Sequence, residues 1–492
     1  EAAVPGTPAH PMEDVASSKI CPGSSSICFP DPDPDPGSTD IRVDDVTRMN
    51  TTAVAGVIYV RSADDIKRAL AKAKTAGRRV AVRGTKHSMG GQSMAEDSIV
   101  IDMTKMTKMH FDSTSATIVC ECGCTWADLI LYLNQFGMSP RTMQSYSTFS
   151  VGGTLAVNGH GIKTDFSLSE CVESFRLIKA DGEDVTCSRG EAAELFKLAL
   201  GGYGLFGIMW EVTMRVEPNS RMDMEALHLK SEEFVRYHAA ARNSEDVVMK
   251  LARLNILDTD CIDFFVFRRS HDKEIKLVSK LERKPREMSW QSKLMYKWLM
   301  PVMKEVRYAI EKRSGTALDW GNETERNHML HESAVPIAQL YEPLFHMDDT
   351  FVLQEYFCPS YQFQAWINRT KTIYQRLAAT TEIILLNTTI RFVEKDVDTF
   401  LPYAKHEEGM FAFVLYYRLP RTALADAKLQ EFHHLFVEAT LALKGSFYLP
   451  YRCHYTHEEL EQAYPEVQEF FAKKEIYDPT GLFDNSWFRH YG

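Results

Sequence analysis

The stretch Val82-Arg-Gly-Thr-Lys-His-Ser-Met-Gly-Gly-Gln92 decides how the rest of the chain is interpreted. It follows the apolar run 79–82 and precedes the apolar run 98–102, so the pattern predicts a tight loop between two buried strands. Three glycines in the loop permit backbone angles that a Cβ would forbid, and they leave N–H groups free to converge on an anion such as a diphosphate. The alternative is an ordinary surface turn with a solvated His87.

Two further glycine-rich loops follow in order. Residues 148–161 read Thr-Phe-Ser-Val-Gly-Gly-Thr-Leu-Ala-Val-Asn-Gly-His-Gly, and residues 201–209 read Gly-Gly-Tyr-Gly-Leu-Phe-Gly-Ile-Met. The order and spacing of the three loops resemble the PCMH-type FAD-binding domain of the vanillyl-alcohol oxidase superfamily. Within that superfamily, the pattern is similar to decaprenylphosphoryl-ribose oxidase and alditol oxidase. The resemblance covers roughly residues 50–218 and the C-terminus.

The resemblance implies an α+β fold with several parts. After an N-terminal extension and linker over residues 1–50, a two-subdomain PCMH-type FAD-binding domain is expected over 51–218. A substrate domain, built on an antiparallel sheet flanked by helices, is expected over 219–445. The C-terminal segment 446–492 carries Asp-Pro-Thr-Gly-Leu-Phe-Asp-Asn, a frequent terminal pattern of the superfamily, and is expected to return to the FAD domain.

FAD is the cofactor that the resemblance implies. In relatives, the histidine that matches His87 bonds covalently to the 8-methyl carbon of the flavin, so a histidyl-FAD is expected here, with a non-covalent flavin as the alternative. His160 is placed beside the flavin, with a satisfied loop histidine as the alternative. The residues expected to contact FAD are Arg83, Gly84, Thr85, Lys86, His87, Ser88, Gln92, Ser147, Val151, Gly152, Gly153, Asn158, His160, Gly161, Gly204, Ile208 and Asn485.

The reaction implied by the resemblance is hydride transfer from a C–H bond of an alcohol, such as a sugar or polyol, to FAD, followed by reoxidation by oxygen or another acceptor. The aromatic strands 351–359 and 411–418 resemble the sheet that covers the flavin in these oxidases. Thr389-Ile-Arg391 resembles the substrate strand of alditol oxidase, with Thr389 where a carboxylate is expected. The candidates for substrate contact or acid–base work are Tyr356, Arg391, Tyr416, Arg452 and His454.

Composition narrows the partners. A chain of 492 residues that is 45% hydrophobic and 25% charged is long enough for two cores. The formal net charge of −11 argues against nucleic acid. Nowhere does a run of about 18 apolar residues predict a membrane span. No metal is expected, since a flat row of Cys120, Cys122 and Cys124 along one strand does not wrap a tetrahedral ion.

Cysteines and sequons in the sequence favour a secreted glycoprotein. Asn-x-Ser/Thr sequons occur at Asn50, Asn322, Asn368 and Asn387. Within the Pro/Gly/Ser/Asp-rich extension, a disulfide between the cysteines at positions 21 and 28 is predicted, with two free thiols as the alternative.

The basic segment 268–313 carries fourteen Lys or Arg against six Asp or Glu. A solvated helical hairpin is expected there, and contact with a membrane surface or a lipid-linked substrate is the alternative. Two other functions therefore stay open beside the soluble alcohol oxidase. One is a lipid-linked sugar oxidase or epimerase component, and the other is a non-catalytic flavin-binding protein.

Overall fold

A computed structural model of the chain describes residues 41–162, 165–270, 323–332 and 349–492. Its strands, in chain order, are β1 (Ile41–Val43), β2 (Thr52–Val54), β3 (Gly56–Tyr59), β4 (Val80–Arg83), β5 (Ile99–Asp102), β6 (Met109–Asp112), β7 (Thr117–Glu121), β8 (Met138–Pro140), β9 (Val172–Ile178), β10 (Asp184–Ser188), β11 (Ile208–Pro218), β12 (Arg221–Lys230), β13 (Val247–Leu254), β14 (Cys261–Arg269), β15 (Glu323–Glu325), β16 (Asp349–Pro359), β17 (Ile384–Val393), β18 (Met410–Pro420) and β19 (Ser446–Phe447). Its α-helices are α1 (Ala63–Thr75), α2 (Trp126–Asn134), α3 (Val151–Ala156), α4 (Ala193–Ala199), α5 (Ser231–Arg242), α6 (Arg326–Glu332), α7 (Phe363–Ala379), α8 (Ala423–Leu441), α9 (His457–Ala463), α10 (Val467–Tyr477) and α11 (Ser486–Tyr491).

The first sheet is small and parallel, with strand order β3-β5-β4. Helix α1 begins after Ser62, whose hydroxyl accepts a hydrogen bond from the Asp65 backbone N–H at 3.2 Å and so caps the first turn. Its buried residues recur at helical spacing and form the face that packs on this sheet. The C-terminal segment reaches the same sheet, where Phe483 forms a parallel bridge with Val80.

The second sheet has the order β10-β9-β11-β7-β6, and β8 also pairs with β11. Strands β9 and β10 form the hairpin predicted at Asp181-Gly182, and Gly182 adopts a φ of 93° that an L side chain rarely takes. Helix α3 begins at Val151, within the second glycine-rich loop. The strands of these two sheets all precede β12, and together with their helices we call them the N-terminal half.

The third sheet is antiparallel and has the order β15-β12-β14-β13-β17-β18-β16-β19. Helices α5, α7 and α8 pack on one face of it, against β14, β17 and β16 respectively. Trp366 of α7 stacks on Phe413 of β18 with ring centroids 3.6 Å apart. We call this third sheet, residues 221–447, the cap sheet. The predicted α+β fold with an antiparallel substrate-domain sheet is confirmed.

Among the described ranges, no helix is long and apolar enough to cross a membrane. Most of the basic segment 268–313 and the predicted disulfide of the N-terminal extension lie outside the described residues.

Candidate active site

A large cavity lies between the glycine-rich loops and the uncovered face of the cap sheet. About 1940 Å³ within it holds no protein atoms, part of which is open to solvent. Twelve of the residues expected to contact FAD line it: Arg83, Gly84, Thr85, Lys86, His87, Ser88, Gln92, Gly152, Gly153, His160, Gly204 and Ile208.

The floor of the cavity is made by close approaches that only glycine permits. A Cβ on Gly84 would lie 1.9 Å from the hydroxyl oxygen of Ser150, and a Cβ on Gly152 would lie 2.6 Å from the Cβ of Cys122. A buried ion pair also fixes the start of the first loop. Arg83 donates through Nε to Asp102 at 2.7 Å, and both side chains are buried. The three loops therefore expose backbone to the cavity, as a bound diphosphate requires.

His87 sits in the first loop with its ring held by the second. Its Nε2 lies 3.2 Å from the hydroxyl oxygen of Thr148, and its ring stacks on Phe149 with centroids 4.1 Å apart. His87 keeps part of its surface in the cavity, and desolvation of the ring together with the positive charge of Lys86 lowers its pKa to about 3. The imidazole is therefore neutral at physiological pH and keeps a lone pair for bonding.

The roof of the cavity is the uncovered face of the cap sheet, and its residues lie in rows across the strands. In the central row, Glu355 of β16 pairs with Val414 of β18, which pairs with Thr389 of β17, which pairs with Arg253 of β13. All four line the cavity. The neighbouring rows add Leu353, Tyr416 and Asn387 on one side and Arg391 and Leu251 on the other.

A polar cluster joins roof and floor. Nε2 of His160 lies 2.5 Å from Oε1 of Glu355, and the Tyr451 hydroxyl donates to Oε2 of the same carboxylate at 3.2 Å. Arg391 donates through Nη2 to the Ser145 hydroxyl at 2.8 Å. Its Nε is buried and has no hydrogen-bond partner in the described part of the chain.

Comparison with known proteins identifies the family. The sequence profile described as "FAD binding domain" matches residues 54–188. The profile described as "D-arabinono-1,4-lactone oxidase" matches residues 213–491, which is more than half of the chain. The chain belongs to the D-arabinono-1,4-lactone oxidase family. The prediction of an FAD-linked superfamily with FAD as cofactor is thereby confirmed.

Curated relatives match over shorter stretches. An uncharacterized oxidoreductase of the fasciation locus in Rhodococcoides fascians is 31% identical over 162 residues, 32% of this chain and 37% of that protein. Cytokinin dehydrogenase 2 of Arabidopsis thaliana is 32% identical over 179 residues, 36% of each chain. The alignments thus span a little over a third of the length of these curated relatives.

Five of the residues expected to contact FAD do not line the cavity. Each of them makes packing contacts or hydrogen bonds around it instead. The Ser147 hydroxyl donates to the backbone oxygen of His331 at 3.0 Å, and Val151 is fully buried in the core. Asn158 binds Asp396 at 2.8 Å. Gly161 packs against the Met143 backbone, and Asn485 caps helix α11.

Of the five catalytic candidates, Arg391 and Tyr416 line the cavity. The other three, Tyr356, Arg452 and His454, were expected there but lie outside the cavity lining. Tyr356 is completely buried on the opposite face of β16, where its hydroxyl lies 2.9 Å from Nδ1 of His433 on α8. Arg452 and His454 both bind Asp426 of the same helix, at 2.8 and 3.0 Å. The guanidinium and the imidazole therefore fasten the C-terminal segment to α8.

Sequence reasoning missed several residues that line the cavity: Gln144, Ser145, Tyr146, Phe149, Arg253, Glu355, Asn387, Tyr448 and Tyr451. Strand alternation carried the signal for Glu355, since it opposes Tyr356 along β16. A carboxylate, that of Glu355, lies in the same row of the cap sheet as Thr389, two strands away.

Proposed function

We propose that the protein oxidises the CH–OH group of a small alcohol, such as a sugar, polyol or related lactone precursor, with FAD as the hydride acceptor. FAD would supply the two-electron chemistry, and oxygen or another acceptor would reoxidise it. The observation that carries this proposal is the cavity itself, in which glycine-built loops face a roof of hydroxyl, amide and charged side chains.

The roof fits a polyhydroxylated ligand. Asn387, Thr389 and Arg391 of β17 and Glu355 of β16 project from two strands of the cap sheet into one cavity. Together they offer both donors and acceptors at spacings set by the sheet, and such groups bind hydroxyls. Apolar side chains of the roof, including Leu353 and Val414, exclude water around them. The chain would thus orient the carbinol carbon of its substrate over the floor loops.

The experiment that tests this function uses the FAD-loaded protein without oxygen. Aldoses, alditols, aldono-lactones and simple aliphatic alcohols are added in turn, and the visible absorbance of the flavin is followed. At least one polyhydroxylated alcohol is expected to bleach the flavin and to yield the corresponding carbonyl compound by mass spectrometry. A protein that binds FAD but is bleached by none of these compounds would be the non-catalytic flavin-binding alternative.

We also propose a covalent bond between His87 and the flavin. The stacked, neutral imidazole supports it, because a neutral ring nitrogen is the form that can attack the 8-methyl carbon. Forming the bond would remove one methyl proton, the imidazole N–H proton and two electrons, and oxygen or another acceptor would take the electrons. Wild-type protein precipitated with acid is expected to keep its yellow colour in the pellet, and His87→Ala is expected to release all of its flavin.

A matched control is His110→Ala, which removes an exposed histidine of the same domain and should leave the pellet yellow. Yellow supernatant from acid-precipitated wild type would contradict the covalent bond while leaving FAD binding intact.

We also propose that the protein is secreted, and the burial of its sequon asparagines provides a test. Asn368 is exposed on α7, whereas Asn387 is buried in the cavity roof and the Asn50 amide donates to Asp45 at 2.6 Å. A secreted protein from its native host is therefore expected to carry a glycan at Asn368. Removal of the Asn368 glycan by deglycosylation should change the electrophoretic mobility of the protein. This contribution should be lost in Asn368→Gln and kept in Asn387→Gln. Native protein that shows no glycan on Asn368 by peptide mass spectrometry would contradict this proposal.

A further inference from the structure

A short contact between the two halves of the molecule inside the cavity joins two ionisable side chains. His160 belongs to the second glycine-rich loop, and Glu355 belongs to β16 of the cap sheet. Their Nε2 and Oε1 atoms are 2.5 Å apart, and only 3% and 2% of the two residues is exposed. The two buried side chains are therefore hydrogen-bonded to each other and act as one unit.

Two tyrosines from the C-terminal half of the chain fix the loop that carries His160. The hydroxyl of Tyr448 donates to the Val157 backbone oxygen at 2.7 Å, and the hydroxyl of Tyr403 donates to the Asn158 backbone oxygen at 2.8 Å. These bonds hold residues 157–160 against β16. The pair therefore has its geometry only where floor and roof meet, which is where a substrate would lie.

Hydrogen bonds hold the carboxylate of the pair from two sides. Burial raises the pKa of Tyr451 well above its ordinary value, so its phenol stays protonated and donates to Oε2 of Glu355. Nε2–H of His160 then donates to Oε1 of the same carboxylate. Both residues of the pair line the cavity, where a bound substrate would meet them.

We propose that His160 and Glu355 together accept the proton of the reaction, an inference that rests on the proposed alcohol oxidation. As the substrate is oxidised, its O–H bond breaks and the proton goes to the pair. Its C–H hydrogen leaves with both electrons to FAD, and the C=O bond forms. The negative charge of the carboxylate stabilises the added proton, as in other carboxylate–histidine pairs.

Three variants test the pair. Glu355→Gln and His160→Gln remove the carboxylate and the imidazole while keeping similar side-chain size. Tyr356→Phe is the control, because Tyr356 is the next residue of the same strand, is equally buried, and faces helix α8 instead of the cavity. FAD content is measured first, and then the rate of anaerobic flavin bleaching by the alcohol that is best for wild type.

Both Gln variants are expected to bind FAD and to bleach about 10²–10⁴-fold more slowly, the usual contribution of a positioned proton acceptor. The double variant should be little slower than the slower single variant, since residues that act as a unit are not additive. Tyr356→Phe should stay within a few-fold of wild type.

A spectroscopic readout separates chemistry from folding. In protein labelled with nitrogen-15 histidine, the Nε2 proton of His160 should resonate far downfield in wild type and Tyr356→Phe, and should lose that position in Glu355→Gln.

The proposed role of the pair would be overturned if Glu355→Gln or His160→Gln were bleached at the wild-type rate. It would also be overturned if Tyr356→Phe were slowed as much as they are. If wild type is bleached by no alcohol although it binds FAD, the proposed function itself fails, and the pair fails with it. The wild-type measurement thus distinguishes the two failures.

Discussion

Replacing Arg83 by methionine is expected to lower the free energy of unfolding by about 3–5 kcal/mol. Arg83 and Asp102 end the adjacent strands β4 and β5, with Nε and Oδ2 2.7 Å apart and side chains only 2% and 5% exposed. Methionine has similar length and no charge, so the substitution leaves a carboxylate buried without its partner. Arg83 also lines the floor of the cavity, so FAD occupancy should fall together with stability.

The chain provides a closely matched control for this prediction. Arg78 and Asp97 form a pair with the same sequence separation, at the other ends of the same segments, with side chains 39% and 67% exposed. Exposed pairs contribute about 0–1 kcal/mol, so Arg78→Met should unfold in urea almost as wild type does. Equal losses in the two variants would show that burial of Arg83 and Asp102 has no special role.

A second large effect is expected from Gly161→Ala. A Cβ at this position would lie 1.8 Å from the Met143 backbone oxygen, a contact that no side-chain rotation relieves. Because the floor loop would have to move away from residues 143–144, a loss of about 3 kcal/mol or more is expected, at or beyond the usual cost of overpacking. Denaturant unfolding measures the loss of stability, and the visible spectrum measures the loss of FAD.

Gly190→Ala is the control, because a Cβ there meets nothing within 4 Å and the backbone does not require glycine. It should leave both stability and FAD content close to wild type. A Gly161→Ala protein as stable and as yellow as Gly190→Ala would contradict the close approach.

The sequence predicted the floor of the cavity well, for a physical reason. Close backbone approaches require glycine, so residues such as Gly84 and Gly152 mark them directly in the sequence. Continuous apolar runs mark the strands on either side, 79–82 and 98–102. The positions between these markers, including His87, therefore line the cavity as expected.

The roof was harder to predict, because alternation along a strand defines two faces without saying which one meets the helices. Tyr356 was chosen and Glu355 overlooked, and the choice depends on His433, which lies 77 residues away on α8. Arg452 and His454 turned away from the cavity for a similar reason, since their partner Asp426 is also on α8. Contacts of such sequence separation leave no local pattern.

The central claim is that an alcohol bound between floor and roof gives up its carbinol hydrogen to FAD. The most direct test follows flavin absorbance without oxygen while the best alcohol is added with either hydrogen or deuterium on the carbinol carbon. We predict bleaching with both, and slower bleaching with deuterium, since that C–H bond breaks in the step observed. Equal bleaching rates for the two forms of the alcohol, measured where substrate binding is faster than bleaching, would contradict the account. So would the absence of bleaching by any alcohol.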